Sequence, residues 1–294
     1  MSITRQNLSV IIVSFKSDHV IHQCINSIDN QIEIIVVDNS NNVEFKKLIE
    51  NQYKNVRCVL SPGNIGMGAG NNLGIKNINN DYALILNPDV TLQKDSMDEI
   101  LKASNQLESF GITAPISNDS KYPNFKLNLN KKQKFDANNP FQVKSVDGFA
   151  MLLNLKRLKQ IEGFSFFDEN FFLYLENDDL CEQLTKRGEN IYVVPKSKIN
   201  HFGGEAVDPK FKDEIELSRN WHWMWSKFYF NKKHYGYLKA FLKIFNNFIS
   251  SSIKFLFYLM IFKNDKKKIY QMRLYGLISS MLGKKSFYRP KIEN

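Results

Sequence analysis

The chain has 294 residues, of which 43% are hydrophobic and 24% charged, a composition that predicts a globular protein with one substantial core and at most about two domains. The three cysteines, Cys24, Cys58 and Cys181, are scattered without a Cys-x-x-Cys pair, so we expect neither a disulfide framework nor a zinc site, and a reducing cytoplasm is favoured. The net charge is +10, but residues 226–294 contain 15 Lys or Arg and only 2 Asp or Glu, so the basicity belongs to a C-terminal segment that we expect to face an anionic partner.

Short runs rich in Val, Ile and Leu alternate with amphipathic stretches in the first half of the chain. Such runs, separated by helices, are typical of a buried, mainly parallel sheet, so we expect an α/β fold. The first run lacks the longer apolar stretch and the small-residue cleavage site of a signal peptide, which argues against one. The predicted strands cover residues 8–15, 33–38, 56–61 and 82–86, and the predicted helices cover roughly residues 20–28, 43–53, 69–78 and 95–108.

Polar residues stand directly after the predicted strands. Ligands of parallel sheets bind beyond the carboxyl ends of the strands, so these residues are candidates for a binding site. The carboxylate of Asp38, after the second strand, can accept the imide N–H of uracil or thymine, although an Asx-turn is the more frequent reason for an acid there. Asn87-Pro88-Asp89, after the fourth strand, either holds a divalent cation that bridges a diphosphate or simply ends the strand.

A glycine-rich segment, Gly66-Met67-Gly68-Ala69-Gly70, follows the third strand. It does not match the dinucleotide-binding pattern Gly-x-Gly-x-x-Gly, because Asn71 stands where the last glycine belongs and the segment does not follow the first strand. Two interpretations remain open. The segment either lets a ligand approach the backbone at a helix N-terminus that favours anions, or is only a tight helix start.

The second half of the chain contains a further set of candidate residues. Glu176-Asn177-Asp178-Asp179 precedes an amphipathic helix, where acids are favoured by the helix dipole, but where a carboxylate could also deprotonate an acceptor hydroxyl. His201 follows the last predicted strand and is either structural or a second metal ligand. The other predicted features are a polar loop or insert at residues 118–140, renewed apolar order at 146–155, an aromatic run at 164–174 and a strand at 190–195.

The C-terminal quarter is aromatic and basic. Its most apolar stretch, residues 236–262, is interrupted by Lys and Asn, whereas a membrane-spanning helix needs roughly 20 mostly apolar residues. The stretch is better suited to lie in a membrane interface, with the following lysines (Lys263, Lys266, Lys267 and Lys268) at anionic headgroups. The alternative is a basic helical tail that packs on the domain.

Taken in order, these segments resemble the family-2 inverting glycosyltransferases, and within them the rhamnosyltransferase-like enzymes of bacterial O-antigen and cell-wall polysaccharide synthesis. The resemblance runs from about Leu8 to Gly204, and the order and spacing of its motifs make it specific. The motifs are "LSVIIVSFKS", "EIIVVDNSNN", "NIGMGAGNNLGI", "YALILNPDV", "VDGFAMLLNLKRL", "GFSFFDENFFLYLENDDLCEQLTKRG" and "INHFGG". The resemblance implies the GT-A fold, with a catalytic domain at residues 1–215 and a helical, basic, membrane-proximal segment at residues 216–294.

The resemblance also implies roles for individual residues. Asp89 would hold Mn²⁺ or Mg²⁺ together with His201, and the donor and acceptor sugars would meet at Gly148 and Phe149. The nucleotide-sugar would contact Ser14, Phe15, Asp38, Asn64, Gly66, Gly70, Asn71, Asn87 and Asp89.

Two positions depart from the family's pattern. Asn87 replaces the first acid of the Asp-x-Asp motif, which removes one negative charge from the metal site. Asn177 replaces the second residue of the usual Glu-Asp-x-Asp-Leu motif, which serves as the base, and an amide cannot accept the proton. Glu176 and Asp179, with Asp178 next, are therefore the candidate bases, since Glu176 and Asp179 occupy the motif's other acidic positions.

We therefore expect an enzyme that transfers a sugar by a single displacement with inversion. The subgroup suggests dTDP-rhamnose as donor, with UDP-sugars still open, and a growing glycan, lipid-linked in particular, as acceptor. The enzyme would lie in the cytoplasm on the anionic inner face of the cell membrane. The alternatives are a nucleotidyltransferase and a non-catalytic nucleotide-sugar or glycan-binding protein. Nucleic acid is not an expected partner, because the basicity is confined to an aromatic, apolar tail.

Overall fold

A computed structural model describes residues 2–119, 123–128 and 133–292 of the chain. The chain divides into two compact units. The first consists of Met1–Asp168 and Asn177–Asp208, and the second of Glu169–Glu176 and Pro209–Asn294.

The elements follow the order of an α/β unit and then a helical unit. The strands are β1 (Leu8–Ser14), β2 (Glu33–Asp38), β3 (Val56–Leu60), β4 (Tyr82–Leu86), β5 (Val90–Leu92), β6 (Ile112–Ser117), β7 (Phe125–Lys126), β8 (Phe141–Gln142), β9 (Ser145–Val146), β10 (Ala150–Asn154) and β11 (Ile191–His201). The helices are α1 (Ile21–Asn26), α2 (Val43–Gln52), α3 (Met67–Lys76), α4 (Ser96–Gln106), α5 (Leu155–Leu158), α6 (Glu176–Lys186), α7 (Lys212–Tyr235), α8 (Tyr237–Met260) and α9 (Asn264–Met281).

The first unit is built on one mixed sheet with the strand order β3-β2-β1-β4-β10-β6-β11-β5, to which β8 adds beside β11. The four strands from β3 to β4 are parallel, while β10 runs antiparallel between β4 and β6. Every residue of β1 and β4 is buried, because helices cover both faces of the sheet and an apolar core lies on each side. The predicted α/β class, with a mainly parallel sheet and flanking helices, is therefore confirmed.

The predicted elements of the first half agree with the structure to within about two residues at each end, as is usual for helix and strand ends. Two later elements differ. Helix α6 begins at Glu176, so the acidic cluster forms its first turn instead of preceding it. Strand β11 continues past the predicted end at Pro195 to His201, through an irregularity in its pairing with β6 between Val194 and Lys198. Part of the predicted loop at residues 118–140 lies outside the described residues, and the rest includes β7.

The second unit is helical, as expected for the basic C-terminal segment. Helices α7, α8 and α9 pack around an apolar core made by Met224, Phe228, Ala240, Ile244 and Leu277. Gly276 on α9 permits the close approach of α9 to α7, because a Cβ at this position would lie 2.1 Å from the carbonyl oxygen of Trp221 on α7. None of the helices in the described part of the chain is both long and apolar enough to cross a bilayer.

Candidate functional site

The carboxyl ends of the parallel strands are tied together by backbone hydrogen bonds. The register pairs Ser14 at the end of β1 with Asp38 at the end of β2, and Asp38 with Leu60 at the end of β3. Beyond these pairs, the N–H of Asn39 donates to the Ser14 carbonyl at 2.8 Å and the N–H of Ser61 donates to the Asp38 carbonyl at 3.2 Å. The polar residues that follow the three strands therefore form one edge, as their sequence positions predict.

Asp38 is buried at this edge and caps the turn that follows it. Its two carboxylate oxygens accept the N–H groups of Ser40 at 3.0 Å and Asn42 at 2.7 Å. Burial raises the pKa of Asp38, while these N–H groups act in the opposite direction. These contacts are those of an Asx-turn, the alternative that the sequence left open. Each carboxylate oxygen also keeps a further lone pair that a ligand can use. Its binding of a nucleobase stays a prediction.

The glycine-rich segment starts helix α3 close to β1. Gly66 has a φ of 90°, which favours glycine, and its carbonyl accepts a hydrogen bond from the Asn39 side chain at 3.1 Å. The N–H of Gly66 donates to the side-chain oxygen of Asn64 at 3.3 Å. A Cβ on Gly70 would lie 2.8 Å from the Val13 side chain, so a requirement of helix–sheet packing explains that glycine. Contact of Asn64, Gly66 and Gly70 with a nucleotide stays a prediction.

Four buried polar side-chain atoms at this edge have no hydrogen-bond partner among the described residues. They are Ser14 Oγ at the end of β1, Asn39 Oδ1 after β2, Asn71 Oδ1 in α3 and Asn87 Oδ1 after β4. Leaving a buried polar group unsatisfied costs about 1–3 kcal/mol, and native proteins contain few such groups. Their concentration at one edge indicates a place where a polar ligand completes the hydrogen bonding. The sequence motifs singled out Ser14, Asn71 and Asn87 but missed Asn39, although it directly follows Asp38.

Asp89 and His201, far apart in the chain, lie side by side. Strand β5 follows Asp89 directly and pairs with β11 so that Val90 stands opposite His201. This pairing places Nε2 of His201 3.6 Å from Oδ1 of the buried Asp89. The imidazole also stacks on Phe149, with ring centroids 3.9 Å apart. A carboxylate oxygen and an imidazole nitrogen at this separation suit two ligands of one cation.

The Gly148-Phe149 segment connects this pair with helix α6. The Phe149 carbonyl accepts the N–H of Asn87 at 3.0 Å. On the other side, a Cβ on Gly148 would lie 3.0 Å from Cβ of Asn177, so glycine permits close approach to α6. The side-chain amide of Asn177 donates to the Val146 carbonyl at 2.9 Å. The predicted acceptor-side residues Gly148 and Phe149 therefore lie next to Asn87, His201 and Asn177.

The acidic residues at the start of α6 have different surroundings. Asp178 forms an ion pair with Lys126 at 2.8 Å. Asp179 is completely buried and accepts a hydrogen bond from the side chain of Gln183 at 2.7 Å. Glu176 is also buried. Whether one of these three acts as a base stays a prediction.

Asp147 is a further carboxylate at this place that the sequence motifs did not single out. It directly precedes Gly148, and its backbone N–H donates to the Asn124 carbonyl at 2.9 Å. Burial is the main cause that raises the pKa of Asp147, Asp178 adds to the rise, and Lys126 and His201 oppose it. The only sequence signal was an acid directly before Gly148, which is weak by itself.

The described residues contain no group of three or more His, Cys, Asp or Glu side chains arranged to hold a metal ion. Water and the oxygens of a bound substrate could supply the further ligands of a cation held by Asp89 and His201. Such sharing is usual for Mg²⁺ at phosphate-bearing substrates, where the protein supplies only one or two ligands.

Comparison with known families gives a match over much of the first unit. A family model described as "Glycosyl transferase family 2" matches residues 9–160, just over half of the chain.

Three curated proteins are similar to the chain at modest identity. The low-salt glycan biosynthesis hexosyltransferase Agl10 of Haloferax volcanii is 28% identical over 218 residues, which cover 69% of this chain and 68% of that protein. The rhamnosyltransferase WbbL of Escherichia coli is 27% identical over 220 residues, covering 66% and 82%. An N-acetylglucosaminyl-diphospho-decaprenol L-rhamnosyltransferase of Mycobacterium tuberculosis is 22% identical over 209 residues, covering 59% and 67%.

Solved structures share the fold at low identity. The mannosyltransferase PcManGT of Pyrobaculum calidifontis, solved with GDP-Man and Mn²⁺, superposes with a TM-score of 0.57 at 10% identity, covering 95% of this chain and 88% of that one. GalNAc-T7, solved with UDP, GalNAc and Mn²⁺, gives a TM-score of 0.54 at 14% identity over 74% of this chain. The match spans only 51% of the length of GalNAc-T7.

Proposed function

Because the chain belongs to glycosyl transferase family 2, we propose that it transfers rhamnose from dTDP-rhamnose to a growing lipid-linked glycan, with inversion at the anomeric carbon. The family match confirms the resemblance carried by the sequence motifs, and the solved neighbours confirm the GT-A fold. The chain is therefore a glycosyltransferase. The donor, the acceptor, the stereochemistry and the site residues belong to the proposal.

The observation that carries the proposal is the group of four unsatisfied polar atoms at the carboxyl edge of the parallel strands, on Ser14, Asn39, Asn71 and Asn87. The three amide oxygens accept hydrogen bonds, so they suit the sugar hydroxyl and base N–H groups of a nucleoside diphosphate sugar, and the Ser14 hydroxyl can also donate to a phosphate oxygen. Asp38 at the same edge keeps lone pairs for the imide N–H of thymine or uracil. Rhamnose is the first sugar to test because two relatives are named rhamnosyltransferases, and UDP-sugars are the next donors.

The Asp89–His201 pair fits a divalent cation. Both side chains offer ligand atoms 3.6 Å apart, and the side-chain oxygen of Asn87 lies in the same loop. We assign Asp89 and His201 as ligands of Mn²⁺ or Mg²⁺, of which Mn²⁺ suits an imidazole better. When bound, the ion would neutralise the charge that grows on the departing nucleoside diphosphate. Two neighbours of the same fold were solved with Mn²⁺.

The acceptor belongs on the other side of the Gly148-Phe149 segment, next to helix α6. A carboxylate there would accept the proton of the attacking hydroxyl, which is typically worth 10²–10⁴-fold in rate. By resemblance the candidates are Glu176, Asp179 and Asp178. One carboxylate suffices, because the departing diphosphate needs no proton. The name of the mycobacterial relative suggests an N-acetylglucosaminyl diphospholipid as the acceptor to test.

Helix α8 supports the expected position at the anionic inner face of the membrane. The helix buries Ala240, Ile244 and Ser251, while a second row of apolar residues faces outward. This outward row, the α8 stripe, consists of Leu238, Leu242, Phe245, Ile249, Ile253, Leu256 and Met260, each three or four residues from the next. At 100° per residue the α8 stripe lies on the side of the helix opposite the buried row.

Lysines border the α8 stripe. Lys239, Lys243 and Lys254 are exposed and lie along one flank of it, and Lys263, Lys266 and Lys268 are exposed just beyond the end of the helix. Apolar side chains flanked by lysines match the interface of an anionic bilayer. We propose that the α8 stripe inserts into the headgroup region and holds the enzyme near a lipid-linked acceptor.

Donor binding tests the proposed function. Calorimetry with dTDP-rhamnose and a panel of UDP- and GDP-sugars, each with and without Mn²⁺, should give metal-dependent binding of one donor. That binding should be lost in Asp89→Ala and retained in Asp81→Ala, the same substitution at the opposite end of β4. Failure of every donor to bind would refute the proposed function.

Asn177 favours a second candidate function, a non-catalytic nucleotide-sugar or glycan-binding protein, because the residue at the family's base position cannot accept a proton. Donor binding without any sugar transfer would support this candidate. Measurable transfer would dismiss it.

A further inference from the structure

The side chain of Asn177 is held in place at the family's base position by contacts that a base would not make. The side-chain amide of Asn177 donates to the Val146 carbonyl at 2.9 Å. A Cβ on Gly148 would lie 3.0 Å from the Cβ of Asn177, so the two residues are in close contact. Asn177 therefore packs against the residues on both sides of Asp147. Asn177 and the segment around Asp147 both belong to the first unit and are in direct contact there.

The neighbouring carboxylates of α6 in this unit are engaged in other contacts. Asp178 forms an ion pair with Lys126 at 2.8 Å, so one of its carboxylate oxygens is already engaged. Asp179 is completely buried and receives the side-chain N–H of Gln183 at 2.7 Å. A completely buried side chain cannot reach an acceptor hydroxyl unless the helix moves.

Asp147 stands between these groups and the Asp89–His201 pair. Its backbone is fixed by the hydrogen bond from its N–H to the Asn124 carbonyl at 2.9 Å. Two residues further on, Phe149 stacks on His201 at 3.9 Å and accepts the N–H of Asn87 at 3.0 Å. Unlike Asp179, the side chain of Asp147 is only partly buried, so a ligand can reach it.

We propose that Asp147 is the catalytic base of this enzyme and supplies the carboxylate that Asn177 lacks. This role rests on the proposed function. In the step, the acceptor hydroxyl oxygen forms a bond to the anomeric carbon and its proton passes to a carboxylate oxygen of Asp147. The bond from the anomeric carbon to the diphosphate oxygen breaks, and its electron pair leaves with the nucleoside diphosphate.

The surroundings of Asp147 suit this work. Burial, with Asp178, raises the pKa of its carboxyl group, and a base of higher pKa accepts a proton more readily. Lys126 on β7 and His201 on β11 act in the opposite direction, since a nearby positive charge favours the carboxylate form. These two residues and Asp178 on α6 are the charged or titratable groups that influence it among the described residues.

A carboxylate swap tests the role. The variants are Asp147→Asn, Asn177→Asp and the double variant, with Asp81→Asn as the matched control. The assay measures transfer from dTDP-rhamnose to N-acetylglucosaminyl-diphospho-decaprenol in detergent. Asp147→Asn should lower kcat by roughly 10²–10⁴-fold, while the donor affinity measured by calorimetry stays within about twofold. The double variant should regain at least about tenfold over Asp147→Asn, because a carboxylate returns to the family's base position.

The pH profile separates a base from a structural residue. The acidic limb of kcat/KM in the wild-type protein should report the protonation of Asp147, should be lost in Asp147→Asn and should return at a different pH in the double variant. Asp81→Asn should keep the wild-type profile.

Each outcome decides a different question. Transfer that survives Asp147→Asn within about threefold, or loss of donor affinity in that variant equal to its loss of kcat, would refute the role of Asp147 and leave the proposed function standing. A wild-type protein that transfers no sugar from any donor would refute the proposed function, and the role of Asp147 with it.

Discussion

The α8 stripe allows a quantitative prediction about membrane binding. Leu242 and Leu256 lie on its centre and are 65% and 55% exposed. Complete burial of a Leu side chain contributes about 1.5–3 kcal/mol, so inserting the exposed parts of these two should contribute roughly 2–4 kcal/mol together. Leu242→Glu combined with Leu256→Glu should therefore lower the partition coefficient onto vesicles by roughly 30- to 1,000-fold.

The assay is sedimentation of the full chain with vesicles of phosphatidylglycerol and phosphatidylcholine. The matched control is Leu48→Glu, which places the same charge at a Leu that is 53% exposed on α2, in the other unit. The lysines beside the α8 stripe should each contribute about 1 kcal/mol at an anionic surface, so binding should weaken with salt and on pure phosphatidylcholine.

Two results would refute this reasoning. One is a double Glu variant that sediments with anionic vesicles as well as the wild-type and Leu48→Glu proteins do. The other is a wild-type protein that stays in solution with every vesicle. If the wild-type protein stays in solution as a dimer and the double Glu variant is a monomer, the α8 stripe is an interface between two copies of the chain.

Three further predictions concern metal binding, packing and pH. His201→Ala should weaken Mn²⁺-dependent donor binding with little effect on metal-free binding in calorimetry, and equal loss in both conditions would remove His201 from the metal site. Gly74→Ala should lower the free energy of unfolding in urea by about 1 kcal/mol, because its Cβ would lie 2.4 Å from Ile11 Cγ2. This value is the balance of an overpacking cost of about 2 kcal/mol and a helix-propensity gain of about 1 kcal/mol. No loss of stability would show that α3 moves off β1 easily. Burial lowers the pKa of His222 from 6.5 to about 3, and its ring nitrogens lie 2.9 Å from the Tyr288 carbonyl and 3.0 Å from Ser286 Oγ. Because the pKa of His222 is lower in the folded protein than in the unfolded chain, the unfolded chain binds a proton first as the pH drops. The free energy of unfolding should therefore fall between about pH 6.5 and pH 3, by up to about 1.4 kcal/mol per pH unit. His222→Gln should flatten this part of the urea-stability profile relative to exposed His19→Gln, and an unchanged slope would contradict the assignment to His222.

Much of the site could be predicted because it depends on local pattern. Ser14, Asp38, Asn87 and Asp89 end or follow apolar runs that predict buried strands, and the edge of a parallel sheet brings the ends of such strands together. Asn39 could have been added on the same ground. The roles of these residues in binding await the experiments above.

Other parts of the site could not be predicted in this way. The glycine pattern suggested that Gly70 contacts a ligand. In the structure a Cβ on Gly70 would meet Val13, so glycine is needed there for packing between α3 and β1. A glycine pattern alone does not distinguish these two reasons. Asp147 was missed because one acid before a glycine has no periodicity or motif to mark it. Its proposed role rests on its position beside Asn177 and on the electrostatic influence of Lys126 and His201.

The sequence by itself determined the fold class, the family and the strand ends that carry the candidate donor site, because hydrophobic periodicity and motif order are local properties of the chain. Only the tertiary structure decided which distant side chains meet. The pairing of β5 with β11 brings His201 to Asp89, and the close approach at Gly148 brings Asn177 to the segment of Asp147. Such contacts depend on strand register and on packing distances, which no run of neighbouring residues encodes.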